Sequence, residues 1–156
     1  MKYFLLSFIL AMAISSKAQN LAGAQLSFDS EFNNTAIGFK GVFGLSNSIA
    51  FSPDLNYFFR SNEYITVNTD LHLNLANGNN LQFYGLGGLH FGAFRSLANR
   101  DGLLGFNSDA DLNLGLNLGL GAQLFTQEKF RLFAEGKYII TDASRFVLSV
   151  GMLFSL

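Results

Sequence analysis

The stretch DLNLGLNLGLGAQLF, residues 111–125, places leucine at 112, 114, 116, 118 and 120 and fills the gaps with Asn113, Gly115, Asn117 and Gly119. A helix would spread this alternation around its whole circumference, whereas a strand sends successive side chains to opposite faces. The stretch is therefore read as a strand with one apolar face and one small, polar face. A soluble barrel turns such leucines inward, and a membrane barrel turns them outward to lipid.

Charge content bears on that choice. Of the 156 residues, 49% are hydrophobic and only 13% charged, against about 25% charged in ordinary soluble domains. One domain accounts for the length, and a single proline, Pro53, argues against disordered or collagen-like composition. The absence of cysteine removes disulfides and thiolate metal sites.

The first twenty residues, MKYFLLSFILAMAISSKAQN, carry Lys2, an uncharged run from Tyr3 to Ile14, and then small and polar residues. That run is too short to span a bilayer, which takes about 20 apolar residues. Residues 1–18 are read as a secretory signal peptide cut between Ala18 and Gln19, leaving residues 19–156 as the mature domain. Losing Lys2 and Lys17 lowers ten basic residues to eight against eleven acidic ones, a net charge of about −3. This leaves no basic patch for nucleic acid.

The mature chain divides into eight period-two segments: 21–29, 35–44, 49–59, 64–76, 81–94, 111–125, 130–140 and 145–156. Most are about ten residues long, the length of a tilted membrane strand, and an even count lets an up-and-down barrel close with both ends on one side. The connections at 45–48, 77–80 and 126–129 are short, and Asn77-Gly78 is a hairpin signal. The connections on the other side include the longest, 95–110, RSLANRDGLLGFNSDA. Short inner turns and longer outer loops match an outer-membrane barrel with periplasmic termini.

Ionisable residues within the strands settle which face meets lipid. Lys40, Asp54, Asp70, Glu135 and Lys137 all lie opposite the main apolar set. In the fourth segment Ile65, Val67, Leu71, Leu73 and Leu75 share one face, and Asn68, Asp70, His72 and Asn74 share the other. A soluble barrel would put its charges outside, so the leucines face lipid and the charges face a narrow lumen. Phe39, Phe43, Phe51, Tyr57, Phe59, Phe83, Phe91, Phe146 and Phe154 fall on the inferred lipid face, several near strand ends where interfacial girdles form.

The last eight residues, SVGMLFSL, resemble the C-terminal assembly signal of bacterial outer-membrane proteins, with Ser149, Gly151, Phe154 and Leu156 in its four defined positions. With YGLGGLHFG at 84–92 and FAEGKY at 133–138, the mature chain resembles the small eight-stranded outer-membrane β-barrels of the OmpA-transmembrane or OmpX type. That resemblance implies an all-β, up-and-down antiparallel transmembrane barrel inserted in outer-membrane lipid by the barrel-insertion machinery. It implies no single activity, because the fold hosts adhesins, anchors and enzymes. The chain ends at the last segment, so the peptidoglycan-binding domain of full-length OmpA proteins is not expected.

Some such barrels are enzymes that modify lipid A, which would require a nucleophile, a base and an orienting acid at the outer rim. His72, in Leu-His-Leu-Asn, lies toward the periplasmic half, and His90, in Leu-His-Phe-Gly, lies nearer the outer end with Ser96 as a conceivable partner. Neither sits in the His-x-Ser arrangement of the lipid A deacylases, and both read as lumen histidines. Asp101, Asp109 and Asp111 match no calcium-loop spacing. No cofactor or metal is expected.

Expectation therefore settles on a structural or surface-interaction protein that meets an unknown extracellular ligand through its outer loops, with Leu103, Leu104 and Phe106 as anchors of the longest one. A lipid-modifying enzyme and a small pore are the alternatives. Counting across the hairpins sets Lys40 beside Asp54 and Asp54 beside Asp70, in a polar network with Glu135 and Lys137 that plugs the lumen.

Overall fold

The computed structural model describes residues 20–31, 33–59, 63–94, 112–127, 129–142 and 144–156. The signal-peptide expectation, the anchors Leu103, Leu104 and Phe106, Ser96, and the aspartates 101, 109 and 111 lie outside the described residues.

Eight strands form: β1 (Asn20–Asp29), β2 (Asn34–Gly44), β3 (Ile49–Phe58), β4 (Glu63–Asn77), β5 (Leu81–Phe94), β6 (Leu112–Gln127), β7 (Phe130–Ile140) and β8 (Arg145–Ser155). Each pairs antiparallel with its sequence neighbours, and β1 pairs with β8, closing the barrel. All eight expected segments are therefore present, with ends displaced by no more than two residues. Closure gives the chain no free sheet edge around its girth, as a backbone surrounded by lipid requires.

The exterior is apolar. Leu116, Leu118 and Leu120 on β6, Leu71 and Leu73 on β4, and Leu148 and Val150 on β8 are all exposed, while the alternate residues of the same strands point inward. Aromatics divide into two rings. Phe43, Phe51, Phe83, Phe125, Phe130 and Phe154 lie toward the end bearing the short turns, and Phe28, Tyr57, Phe59, Phe91, Tyr138 and Phe146 toward the end bearing the loops. The pairs Phe83 and Phe91, Phe130 and Tyr138, and Phe146 and Phe154 are each eight residues apart on one strand. At about 3.4 Å per residue and a tilt of roughly 40°, that spacing separates the rings by about 21 Å along the barrel axis, close to the apolar band of outer-membrane barrels. Phe39 departs from the pattern, standing 70% exposed in the middle of the band.

Short turns are held by local bonds. Leu45 N and Ser46 N both donate to Ile49 O, at 2.9 and 3.0 Å, and Gly78 N donates to Leu81 O at 2.7 Å. At the opposite end Asn33 takes φ 46°, a left-handed conformation that asparagine tolerates better than most residues, and turns β1 into β2. At the turn end the lumen is floored by Leu21, Val42, Phe133 and Leu153, all buried together with Ala50 packed against them.

Strand lengths are uneven, and this shapes the loop end. β4, β5 and β6 run 15, 14 and 16 residues, against 10 or 11 for the others. The β6–β7 ladder ends at Leu116 opposite Ile140, while β6 continues to Leu112 opposite Ala93 of β5. Four residues of β6 thus outrun β7 at the loop end.

Candidate functional site

Lumen side chains form one connected polar network that draws a member from every strand. Asp29 of β1 pairs with Arg145 of β8 (Oδ2 to Nε, 3.2 Å), and an Arg145 terminal nitrogen lies 3.2 Å from His90 Nε2 on β5. Arginine has only donors, so Nε2 accepts and the ring proton sits on Nδ1, which donates to Asn68 Oδ1 of β4 at 2.7 Å. Asn68 Nδ2 donates in turn to Asp54 Oδ1 of β3 at 2.6 Å. Asn117 of β6 donates to Asp70 Oδ1 at 2.7 Å and Asn68 Oδ1 at 3.0 Å.

Below this lies the ionic centre. Lys137 Nζ stands 2.9 Å from Asp54 Oδ2 and 2.6 Å from Asp70 Oδ2. Lys40 Nζ, on β2, donates to Glu135 Oε2 at 3.0 Å and lies 3.8 Å from Asp54 Oδ2. Tyr84 OH donates to Glu135 Oε1 at 2.8 Å, and the His72 ring stacks on Tyr84 at 4.4 Å, with Nε2 3.6 Å from the same carboxylate oxygen. Tyr84 fits because Gly121 faces it: a Cβ there would stand 2.4 Å from the ring. Lys40, Asp54, Asp70, Glu135 and Lys137 are all buried, where an unpaired charge would be costly, and each has a partner of opposite charge.

Lys40, Asp54, Asp70, Glu135 and Lys137 are thus brought together in the lumen as the alternation implies, but with different partners than counting gave. Lys40 does lie opposite Asp54. Asp54, however, lies opposite Asn68, and Asp70 opposite Ser52. β3 ends one residue earlier and β4 begins one earlier than the pattern implied, so the hairpin centre moves by one and every pairing sum by two. The two aspartates are joined by Lys137 from the facing wall instead of by Lys40. Sequence reasoning missed Asp29, Arg145 and Tyr84. The first two sit at strand ends, where alternation is weak; Tyr84 is readable, because alternation with the outward Phe83 and Phe91 places it on the lumen face with His90. Asn117 is likewise a network donor, so even a polar exchange there removes bonds to Asp70 and Asn68.

His90 is buried and engaged by Asn68 and Arg145. Ser149 Oγ lies 2.8 Å from Ser27 Oγ across the β1–β8 seam. Gly151 lies where a Cβ would meet Ala24 O at 2.3 Å and the Phe133 ring at 2.6 Å. Phe154 belongs to the aromatic ring at the turn end, and Leu156 N donates to Asn20 O at 2.9 Å. Ser149, Gly151, Phe154 and Leu156, expected from the sequence as an assembly signal, are thus also residues of the closing seam.

The leucines outside, the paired charges inside and the closed eight-strand ladder decide the class of fold. It is the fold of outer-membrane barrels. The N-terminal β-barrel domain of Pseudomonas aeruginosa OprF is similar at TM-score 0.71 and 14% identity, over 88% of this chain and 97% of that one. Ail, the attachment invasion locus protein of Yersinia pestis, matches at TM-score 0.58 and 15% identity, over 88% and 97%. The outer-membrane enzyme PagL matches at TM-score 0.51 and 11% identity, over 88% and 98%. Neighbours of this fold therefore include an attachment protein and an enzyme. No protein-family model and no curated protein matches the sequence.

Proposed function

We propose that the protein is a structural and surface-interaction component of the bacterial outer membrane. In this reading residues 1–18 are removed on export, the barrel-insertion machinery uses the C-terminal strand, and the termini and short turns face the periplasm. The loop end then faces outward and makes the contact.

One observation carries the contact reading. The part of β6 that outruns β7 bears Leu112 and Leu114, which are 69% and 63% exposed. Depth along β6 follows from its neighbours: the midpoint between the aromatics of β5 is level with Leu118, and that of β7 with Ala122. Mid-depth on β6 is therefore near Leu120, and Leu116 is level with the loop-end ring. In this reading Leu114, opposite Phe91, stands at the outer edge of that ring and Leu112 beyond it, above the apolar band. Exposed leucines in that position suit an apolar contact with a partner, and the chain continues from them into the connection that carries Leu103, Leu104 and Phe106.

Charge narrows the partner. The four loop-end connections hold Arg60, Arg95 and Arg100 against Glu31, Asp101, Asp109, Asp111 and Asp142. Ail has been crystallised with the heparin analogue sucrose octasulfate, but this acidic excess does not favour a polyanion here. The favoured ligand is apolar and uncharged or basic. Catalysis is not part of the reading, because His72 and His90 are both buried in the lumen, His90 held between Asn68 and Arg145.

A deletion strain tests the proposal. Expected are an unchanged lipid A mass spectrum, unchanged uptake of small solutes and weaker attachment to apolar surfaces. Complementation with Leu112→Asn/Leu114→Asn should restore the barrel without restoring attachment. Altered lipid A would favour the enzyme, and altered uptake the pore.

A further inference from the structure

The Asp29 carboxylate does two jobs with its two oxygens. Oδ1 accepts from Glu31 N at 3.1 Å, holding the backbone of the β1–β2 connection, and Oδ2 takes Arg145 Nε at 3.2 Å. Arg145 follows directly on the β7–β8 connection, residues 141–144. That connection is closed by Ser144 Oγ, which donates to Thr141 O at 2.9 Å and accepts from Thr141 N at 3.3 Å. Ser30 adds a second tie, donating from both N and Oγ to Phe146 O at 3.0 Å.

The β7–β8 connection reaches the projecting part of β6. A Cβ at Gly115 would stand 2.3 Å from Thr141 Cγ2 and 2.6 Å from Ile140 O, so Thr141 packs directly on β6 at the root of the segment bearing Leu112 and Leu114. The far side of Arg145 is fixed across the lumen by His90 of β5. Three elements of the loop end therefore meet at one buried arginine: both connections beside the seam, and the wall that carries the projection.

We propose that Asp29 and Arg145 are positioning residues that hold the two connections beside the seam as one platform against the β6 projection. This rests on the reading that the loop end is the contact surface, and it names what fixes that surface's shape. Arginine suits the role: its planar guanidinium meets a carboxylate through Nε and an imidazole through a terminal nitrogen at once, and a lysine ammonium cannot reproduce that geometry.

The absence of cysteine from the chain makes the test direct. Spin labels at Glu31→Cys and Asp142→Cys report the distance across the platform by pulsed electron resonance, and labels at Ser46→Cys and Asn79→Cys report the turn end. In the full-length barrel in lipid, the Glu31 to Asp142 distribution should be narrow and should at least double in width with Arg145→Met or Asp29→Asn. Arg145→Lys should fall between, and the turn-end pair should not change. Unchanged widths at the platform would overturn the proposal, as would equal broadening at both ends or failure of all three variants to form a barrel, since those outcomes mark a general scaffold role. The readout involves no ligand, so a failure here is separable from failure of the contact reading.

Discussion

Lys137 Nζ lies 2.6 Å from Asp70 Oδ2 while also reaching Asp54 Oδ2 at 2.9 Å. One ammonium thus separates two buried carboxylates that have no room to part. Removing it leaves both underpaired, and breaking a buried pair in this way costs about 3–5 kcal/mol. Lys137→Met is expected to fall at the upper end of that range in a urea titration of the barrel in lipid vesicles. Lys40→Ala should cost less, because Asp54 keeps Lys137 and Glu135 keeps the Tyr84 hydroxyl. A larger loss at Lys40 than at Lys137 would contradict this assignment of partners.

Depth on β6 gives a second expectation. Arginine at a lipid-facing site costs about 2–4 kcal/mol at the bilayer midplane and about 0–1 near the interface. Leu120→Arg should therefore lie in the upper range and Leu116→Arg in the lower, with Leu118→Arg between. A flat profile along the three leucines would mean that the aromatic rings do not mark the membrane boundaries.

Gly151 offers a test that separates packing from recognition. Its added Cβ would meet the Ala24 carbonyl as well as the Phe133 ring, and backbone in a closed seam cannot step aside. Gly151→Ala should destabilise by about 1–3 kcal/mol, the usual range for overpacking, when the purified protein refolds into vesicles with no insertion machinery present. Normal stability there, with defective assembly in cells, would place the role of Gly151 in recognition alone.

The sequence made the barrel legible because period-two alternation is a property of the strand itself, and because charges kept to one face reveal which side is the lumen. β6 is the clearest case, with leucine at every outward position from 112 to 120. Partners within the lumen were less legible. Which side chains meet across the barrel depends on strand stagger, and an error of one residue in the hairpin between β3 and β4 moved Asp70 from Asp54 to Ser52. Arg145 and Asp29 escaped notice for a related reason: they belong to the last rungs of their strands, where sequence spacing alone cannot separate a lumen residue from a loop residue.

Conduction is the remaining test, and the network determines its outcome. Eight strands enclose a space that side chains can fill, and here they do so in layers. Leu21, Val42, Phe133 and Leu153 close the turn end. Above them Lys40, Glu135, Tyr84 and His72 form one tier, Asp54, Lys137, Asp70 and Asn117 the next, and His90, Arg145 and Asp29 the last. An ion entering this column would have to part buried pairs held at 2.6 to 3.2 Å, with an apolar floor beyond. Planar-bilayer recordings of the purified protein should therefore show no steady channels at neutral pH. Weakening the centre by Asp70→Ala and the floor by Phe133→Ala together should admit a measurable leak, provided the double variant still migrates as a folded barrel. Reproducible channels in the unaltered protein would refute the plug and make the pore the better account of what this barrel does.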